Sequence, residues 1–331
     1  MDYCRIAGVD TPLSRIGLGC GSLFSSNTWG YQDPQQSHET IISALREGVN
    51  FFDTAESYAS GWAEELLRTT IRQNIARHQV VIATKASGGH LSEYSMESAC
   101  DASLCRLKTD YIDLYQVHWP AENIPVAETL GALQKLKEKG KIRSYGVCNF
   151  GASLLTQIPD VCMPSTNQLP YNLLWRAIET GLQSLCAGKG IGIITYSSLA
   201  QGLLTGKFQN ANAVPGNRAR TRLFSSDRER ARHHEPGFEH LVFLTLDQLK
   251  ELSRESGISM AHLSLAWLLS FKGITSVLVG ARSSGQIKAN ADASEIHLRP
   301  ETQRRLEEIT HPLKTATGGN VDLWQTESRI I

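Results

Sequence analysis

Apolar residues gather in eight short runs along the chain, at about residues 15–20, 49–53, 80–84, 111–118, 143–148, 165–170, 190–196 and 275–280. Most are rich in Val, Ile, Leu or aromatic side chains, which predicts strands. Between most of them the apolar spacing changes to three and four. Residues 38–48 place Ile41, Ile42 and Leu45 on one face and stop at Gly48. Residues 62–73 set Leu66, Leu67 and Ile71 behind Glu64 and Glu65, acidic residues that suit a helix N-terminus. Residues 128–140 repeat the design with Leu130, Leu133 and Leu136, a basic last turn and a closing Gly140. Residues 247–257 and 260–271 read as another helical pair. Strands alternating with helices predict βαβ units and parallel pairing, and eight of them favour a closed (β/α)8 barrel over an open doubly wound sheet. Residues 5–9 and 12–15 are expected to form a hairpin that plugs the barrel floor.

One connection breaks the rhythm. About eighty residues separate the seventh run from the eighth, far beyond an ordinary βα loop. Its first part, 202–240, is rich in Gly, Asn, Arg and Pro, and six arginines fall within 218–232. Two readings stand side by side: a solvated surface excursion, or a flap that grips a phosphate.

Composition narrows the function classes. The 331 residues carry 33 basic and 33 acidic side chains, so net charge gives no case for nucleic acid or an anionic membrane. Any charged ligand must be held by a local cluster. Seven cysteines without a C-x-x-C pair fit a reduced, cytoplasmic setting. No secretory signal is visible at the N-terminus, and no apolar segment approaches the roughly 20 residues that cross a bilayer. The whole chain, 1–331, is expected to be one barrel domain.

Chemistry concentrates at the downstream ends of three consecutive runs. Asp53 and Tyr58 follow the second, Lys85 the third and His118 the fourth. In a parallel barrel these ends share one mouth. A lysine there needs an anion, so Asp53 beside Lys85 is expected to form a desolvated ion pair. The ammonium is expected to lower the pKa of Tyr58 below its usual value of about 10. A phenol so tuned can exchange a proton with a developing alkoxide, and a neutral His118 can hydrogen-bond the same oxygen. The set suits hydride addition to a carbonyl. A metal site built from Asp53, Glu56, His90 and His118 is the competing use, without the close H-x-H or H-x-x-x-H spacing of a specific site. Gly17 and Gly19 begin a G-x-G, but Ser22 stands where a dinucleotide fingerprint needs its third glycine.

Several segments together resemble the aldo-keto reductase superfamily, in its bacterial and potassium-channel-β-like branch. Asp53-Thr54-Ala55-Glu56-Ser57-Tyr58 resembles the family's D-T-A-x-x-Y block, Ala83-Thr84-Lys85 its lysine strand, and Gln116-Val117-His118-Trp119-Pro120 its histidine strand. Gly146-Val147-Cys148-Asn149-Phe150 is similar to G-V-S-N-F, and Asn167-Gln168-Leu169-Pro170-Tyr171-Asn172 to N-Q-x-x-Y-N. Residues 197–207 resemble S-P-L-x-x-G-L-L-T-G-K, with Ser198 at the usual proline, and residues 280–290 resemble the segment that reads an adenosine 2′-phosphate.

The resemblance implies an NADP(H)-dependent oxidoreductase with Asp53, Tyr58, Lys85 and His118 as its catalytic tetrad. It implies that Asn149 and Gln168 hold the nicotinamide carboxamide, with Cys148 replacing a serine beside them, and that Tyr196 stacks on the ring. Ser197, Leu199, Gly202 and Lys207 would cradle the pyrophosphate, with Arg218 or Arg220 as a belt. Gly280, Arg282, Gln286 and Asn290 would hold the adenosine end. Trp29, Tyr31 and Trp119 are expected to line an outer pocket for a small-molecule carbonyl or alcohol, and residues 318–331 to fold over the mouth. Physiological oxidation of a sugar or polyol, and a cofactor-sensing regulatory subunit, remain open alternatives.

Overall fold

The computed structural model describes residues 1–121 and 123–330. Eight parallel strands close on themselves: β3 (Ile16–Gly19), β4 (Phe51–Asp53), β5 (Val81–Ala86), β6 (Ile112–Val117), β7 (Ile142–Cys148), β8 (Thr166–Pro170), β9 (Gly192–Tyr196) and β10 (Ile274–Gly280). Each pairs with the next, and β10 returns to β3, so the expected (β/α)8 barrel is what forms. All eight runs fall on these strands. Ahead of them, β1 (Tyr3–Cys4) and β2 (Leu13–Ser14) pair antiparallel.

The two-residue alternation of each strand divides inside from outside. Phe51, Val81, Ala83, Leu114, Ile194 and Leu278 fill the barrel interior and meet Ile6, Val9 and Leu13 from the terminal hairpin. The hairpin therefore seals the floor, as expected. Phe52, Ile82, Tyr115, Val147 and Leu169 point the other way, into the larger core beneath the helices. Above the apolar filling the same alternation delivers Asp53, Lys85, Gln116, Cys148 and Gln168, all buried. The greasy plug holds water away from these groups, and that dryness governs their electrostatics.

The helical segments also form, with shifted ends. α1 (Pro34–Arg46) begins ahead of residue 38, because Asp33 caps it by accepting from Gln35 N and Pro34 occupies the first helical position. α2 is Trp62–Asn74, α3 Glu93–Leu107, α4 Val126–Glu138, α5 Ala152–Gln157 and α6 Leu182–Gly188. α7 (Glu239–Ser256) starts eight residues before the periodic pattern at 247; Glu239 in its first turn holds Arg228 and accepts from Ser225 N at 3.0 Å. α8 (Met260–Leu269), α9 (Ser284–Asp292) and α10 (Pro300–Thr317) complete the shell. The long β9–β10 connection thus carries two helices, and its irregular part spans 197–238.

Candidate active site

The three strand ends bring their polar residues together. Lys85 Nζ contacts Asp53 Oδ1 and donates to Thr54 O at 2.8 Å. The other oxygen of Asp53 accepts from Gln116 Nε2 at 3.1 Å and Gln168 Nε2 at 2.9 Å. Asp53 is 3 % and Lys85 1 % exposed, so this is a buried pair whose carboxylate is fully engaged. Burial works most strongly against the Lys85 charge, but Asp53, Tyr58 and Cys148 together outweigh it and the ammonium pKa rises above its ordinary value. A permanent positive charge therefore sits 5.3 Å from the centre of the Tyr58 ring.

Tyr58 lies between Phe24, at 6.2 Å between ring centres, and His118, at 5.8 Å and nearly edge-on. Its pKa is raised, which corrects the expectation of a lowered one. Burial penalises the phenolate more than Lys85 stabilises it, and Asp53 adds to the penalty. The phenol accordingly holds its proton. His118 is pushed down to about 3, by burial and then by Lys85, so its imidazole is neutral.

The turn after Tyr58 is strained and locked. Ala59, Ser60 and Gly61 take φ of 50°, 54° and 91°, a left-handed run rare outside glycine. A Cβ on Gly61 would lie 2.5 Å from Arg106 Cδ. Arg106 in turn donates to Glu64 at 2.5 Å, and the fully buried Glu64 accepts from Thr84 at 2.6 Å. Glu64 thus ties the first turn of α2 to the strand that presents Lys85. Glu56, set aside as a metal candidate, instead accepts from Ser87 N at 2.6 Å and pairs with His90 at 2.8 Å.

Next to His118 the expected cofactor residues follow in order. Asn149, itself left-handed at φ 62°, donates to His118 O at 3.1 Å and accepts from Tyr196 OH at 3.0 Å. Cys148 Sγ reaches Gln116 Oε1 at 3.7 Å, and burial raises its thiol pKa. Ser197, Ala200, Gln201 and Gly202 all have positive φ. Leu199 O accepts from Gly202 N and Leu204 N, which curls this backbone tightly. A Cβ on Gly202 would lie 2.9 Å from Lys207 Nζ, so glycine leaves room for that ammonium. Ser198, in place of proline, donates to Leu278 O at 2.9 Å and fastens the loop to β10.

At the end of β10, Gly280 precedes Arg282, whose backbone N–H donates to Gln286 Oε1 at 2.8 Å. Asn290 is buried on α9. The serines after Arg282 do ordinary work: Ser283 caps α9 and Ser284 donates to Glu39 O. The Arg282 guanidinium lies on the β3 loop, donating to Gln32 Oε1 at 2.8 Å, to Trp29 O at 2.5 Å and to Tyr31 O.

Lys207, Arg218 and Arg282 have no carboxylate partner among the described residues. Arg218 lowers the Lys207 pKa after burial, and Arg282 does the same to Arg218. The three are neighbours in one uncompensated cluster. Close by in sequence, Gln201 Oε1 and Asn217 Oδ1 are buried without a hydrogen-bond partner. Such a set fits a polyanion laid along the β9 loop.

The model for the Aldo/keto reductase family matches residues 15–311. The chain belongs to this family. It is 34 % identical over 322 residues to the aldo-keto reductase YhdN of Bacillus subtilis (strain 168), covering 93 % of each chain. A probable voltage-gated potassium channel subunit beta of Arabidopsis thaliana is 32 % identical over 81 % of this chain and 85 % of its own. Among solved structures, an aldo/keto reductase from Klebsiella pneumoniae in complex with NADP and acetate superposes with a TM-score of 0.72 at 28 % identity, covering 93 % of this chain and 95 % of that one.

In this aldo/keto reductase the three aromatic residues expected at an outer pocket have different surroundings. Tyr31 is 80 % exposed, and Arg282 holds its backbone carbonyl. Trp29 lies under Arg218, 5.1 Å from its ring centre, with the cationic cluster. The aromatic neighbour of Tyr58 on that side is Phe24, which no motif singled out. Trp119 does flank the mouth and is covered by Arg329 at 3.9 Å. The tail folds over as expected: Trp324 Nε1 donates to Tyr196 OH at 3.3 Å, and Arg329 is held by the fully buried Asp322. Gln116 was legible in principle, since it stands two residues before His118 and so faces inward with it. Trp324 and Arg329 had no such local signal.

Proposed function

We propose that the chain is a cytoplasmic NADPH-dependent reductase that converts an aldehyde or ketone to an alcohol. What carries the reading is a protonated phenol, Tyr58, poised between a neutral imidazole and a buried ammonium–carboxylate pair. The nicotinamide cofactor supplies the hydride when bound. Tyr58 gives its proton to the carbonyl oxygen as charge develops there. Lys85 stabilises the phenolate left behind, Asp53 holds Lys85 in place, and His118 donates a hydrogen bond that aims the carbonyl. Asn149 and Gln168 would orient the carboxamide and Tyr196 the ring. Ser197, Leu199, Gly202, Lys207 and Arg218 would hold the pyrophosphate, with Gly280, Arg282, Gln286 and Asn290 at the adenosine end. The seven free cysteines fit a reducing compartment.

The same phenol gives the two directions different pH profiles. Oxidation needs Tyr58 deprotonated, and its raised pKa opposes that at neutral pH. With His118 neutral above about pH 3, kcat/KM for reduction should be level from pH 5 to 8, while oxidation climbs into the alkaline range. A break near 6.5 in the reductive profile would mean that His118 titrates as an ordinary imidazole.

The deciding experiment is steady-state turnover of small aldehydes with NADPH and with NADH. Arg282→Ala is expected to weaken NADPH binding roughly tenfold or more, and NADH binding far less, by fluorescence titration. Equal loss for both would remove Arg282 from the 2′-phosphate.

A further inference from the structure

Six arginines crowd the excursion after β9, and the structure separates them by partner. Arg222 is buried and forks onto Glu235, Arg228 pairs with Glu239, and Arg230 with Glu229. Arg218 belongs with Lys207 and Arg282. That leaves Arg220 and Arg232, neither of which has a carboxylate partner among the described residues. Arg220 is half-buried, and its Nε has neither water access nor an acceptor. Its pKa is lowered by burial and then by Arg232.

The place of Arg220 is what gives it a use. Its guanidinium lies 5.0 Å from the ring centre of Trp324. Trp324 bonds the Tyr196 hydroxyl, Tyr196 bonds Asn149, and Asn149 holds the backbone of His118. Arg220 therefore stands at the rim of the mouth that Tyr58 and His118 occupy. Arg329, the other cation there, is neutralised by Asp322 through two donors and serves to pin the tail on Trp119. Arg220 is only half-buried, but its dry, unpartnered Nε and its lack of a counter-ion are unfavourable, and an anion at that point would relieve them.

We propose, building on the reductase reading above, that Arg220 recognises an anionic group on the substrate, so that preferred substrates are carbonyl compounds bearing a carboxylate or a phosphate. Arg220 is then a specificity-determining residue, and the paired tail and excursion exist to present it. The test is a matched panel with NADPH and the full chain: succinic semialdehyde against butanal, and glyceraldehyde 3-phosphate against glyceraldehyde.

At least one anionic member should exceed its neutral partner in kcat/KM by roughly tenfold or more, less so as salt is raised. Arg220→Gln should erase most of that ratio through KM. Equal use of anionic and neutral members, or a ratio unmoved by Arg220→Gln, overturns the inference and leaves the reductase reading intact. So does a loss of NADPH affinity in Arg220→Gln that matches the loss for the anionic substrate, which would assign Arg220 to the cofactor. Failure to turn over any member sinks the reductase reading instead. Calorimetric titration of succinate and glycerol 3-phosphate into the NADPH-loaded chain then still decides, since binding that Arg220→Gln abolishes supports the site and no binding removes it.

Discussion

Tyr58→Phe is expected to cut kcat for carbonyl reduction by about a thousandfold or more, within the range that a positioned general acid contributes. The substitution removes one oxygen and keeps the ring that packs between Phe24 and His118. Burial already holds the phenol in its protonated form, so no other group in the mouth is ready to take its place. His118 is neutral and is a poor acid, and Lys85 is tied to Asp53 with its pKa raised. Cofactor binding should survive, because none of the residues assigned to the cofactor bonds Tyr58. Quenching of protein fluorescence by NADPH, read beside stopped-flow hydride transfer, separates the two effects. A variant that binds NADPH and still reduces aldehydes at a tenth of the wild-type rate would take the proton donor's role from Tyr58.

The barrel was legible because its information is local. Runs such as 80–84 carry β-branched residues between polar breaks, and period-two alternation fixes which neighbour faces in. Asp53, Lys85 and His118 could be placed together for the same reason, since strand order follows chain order in βαβ units. What escaped depends on distance across the fold. The Tyr58 pKa turned on how the fold packs its ring against Phe24 and His118, which come from other segments. Tyr31 was expected to line a pocket; it is 80 % exposed, and its backbone carbonyl is held by Arg282, 251 positions away. The arginines of 218–232 looked alike in sequence and were sorted only by which carboxylates the fold brought near. α10 passed unnoticed, and Pro312 inside it is a residue that ordinarily argues against a helix interior.

Lys85→Met is expected to destabilise the fold by about 3–5 kcal/mol, the usual loss when one member of a buried ion pair is removed. Asp53 would keep its charge among Gln116 and Gln168 donors but lose its counter-ion, and at 3 % exposure water cannot replace it. Asp53→Asn should cost a comparable amount for the opposite reason, leaving an ammonium beside an amide. The double variant should be more stable than the sum of the singles requires, since it leaves no unpaired charge; denaturant unfolding around that cycle measures the coupling. Function should fall along a different axis. Without the ammonium nothing offsets the burial penalty on the Tyr58 phenolate, so its pKa climbs further. The alkaline rise of alcohol oxidation should therefore move to higher pH, while the reductive profile stays level. Additive stabilities, or an alkaline rise unmoved in the variant, would mean that Lys85 is a packing residue whose charge does not reach Tyr58.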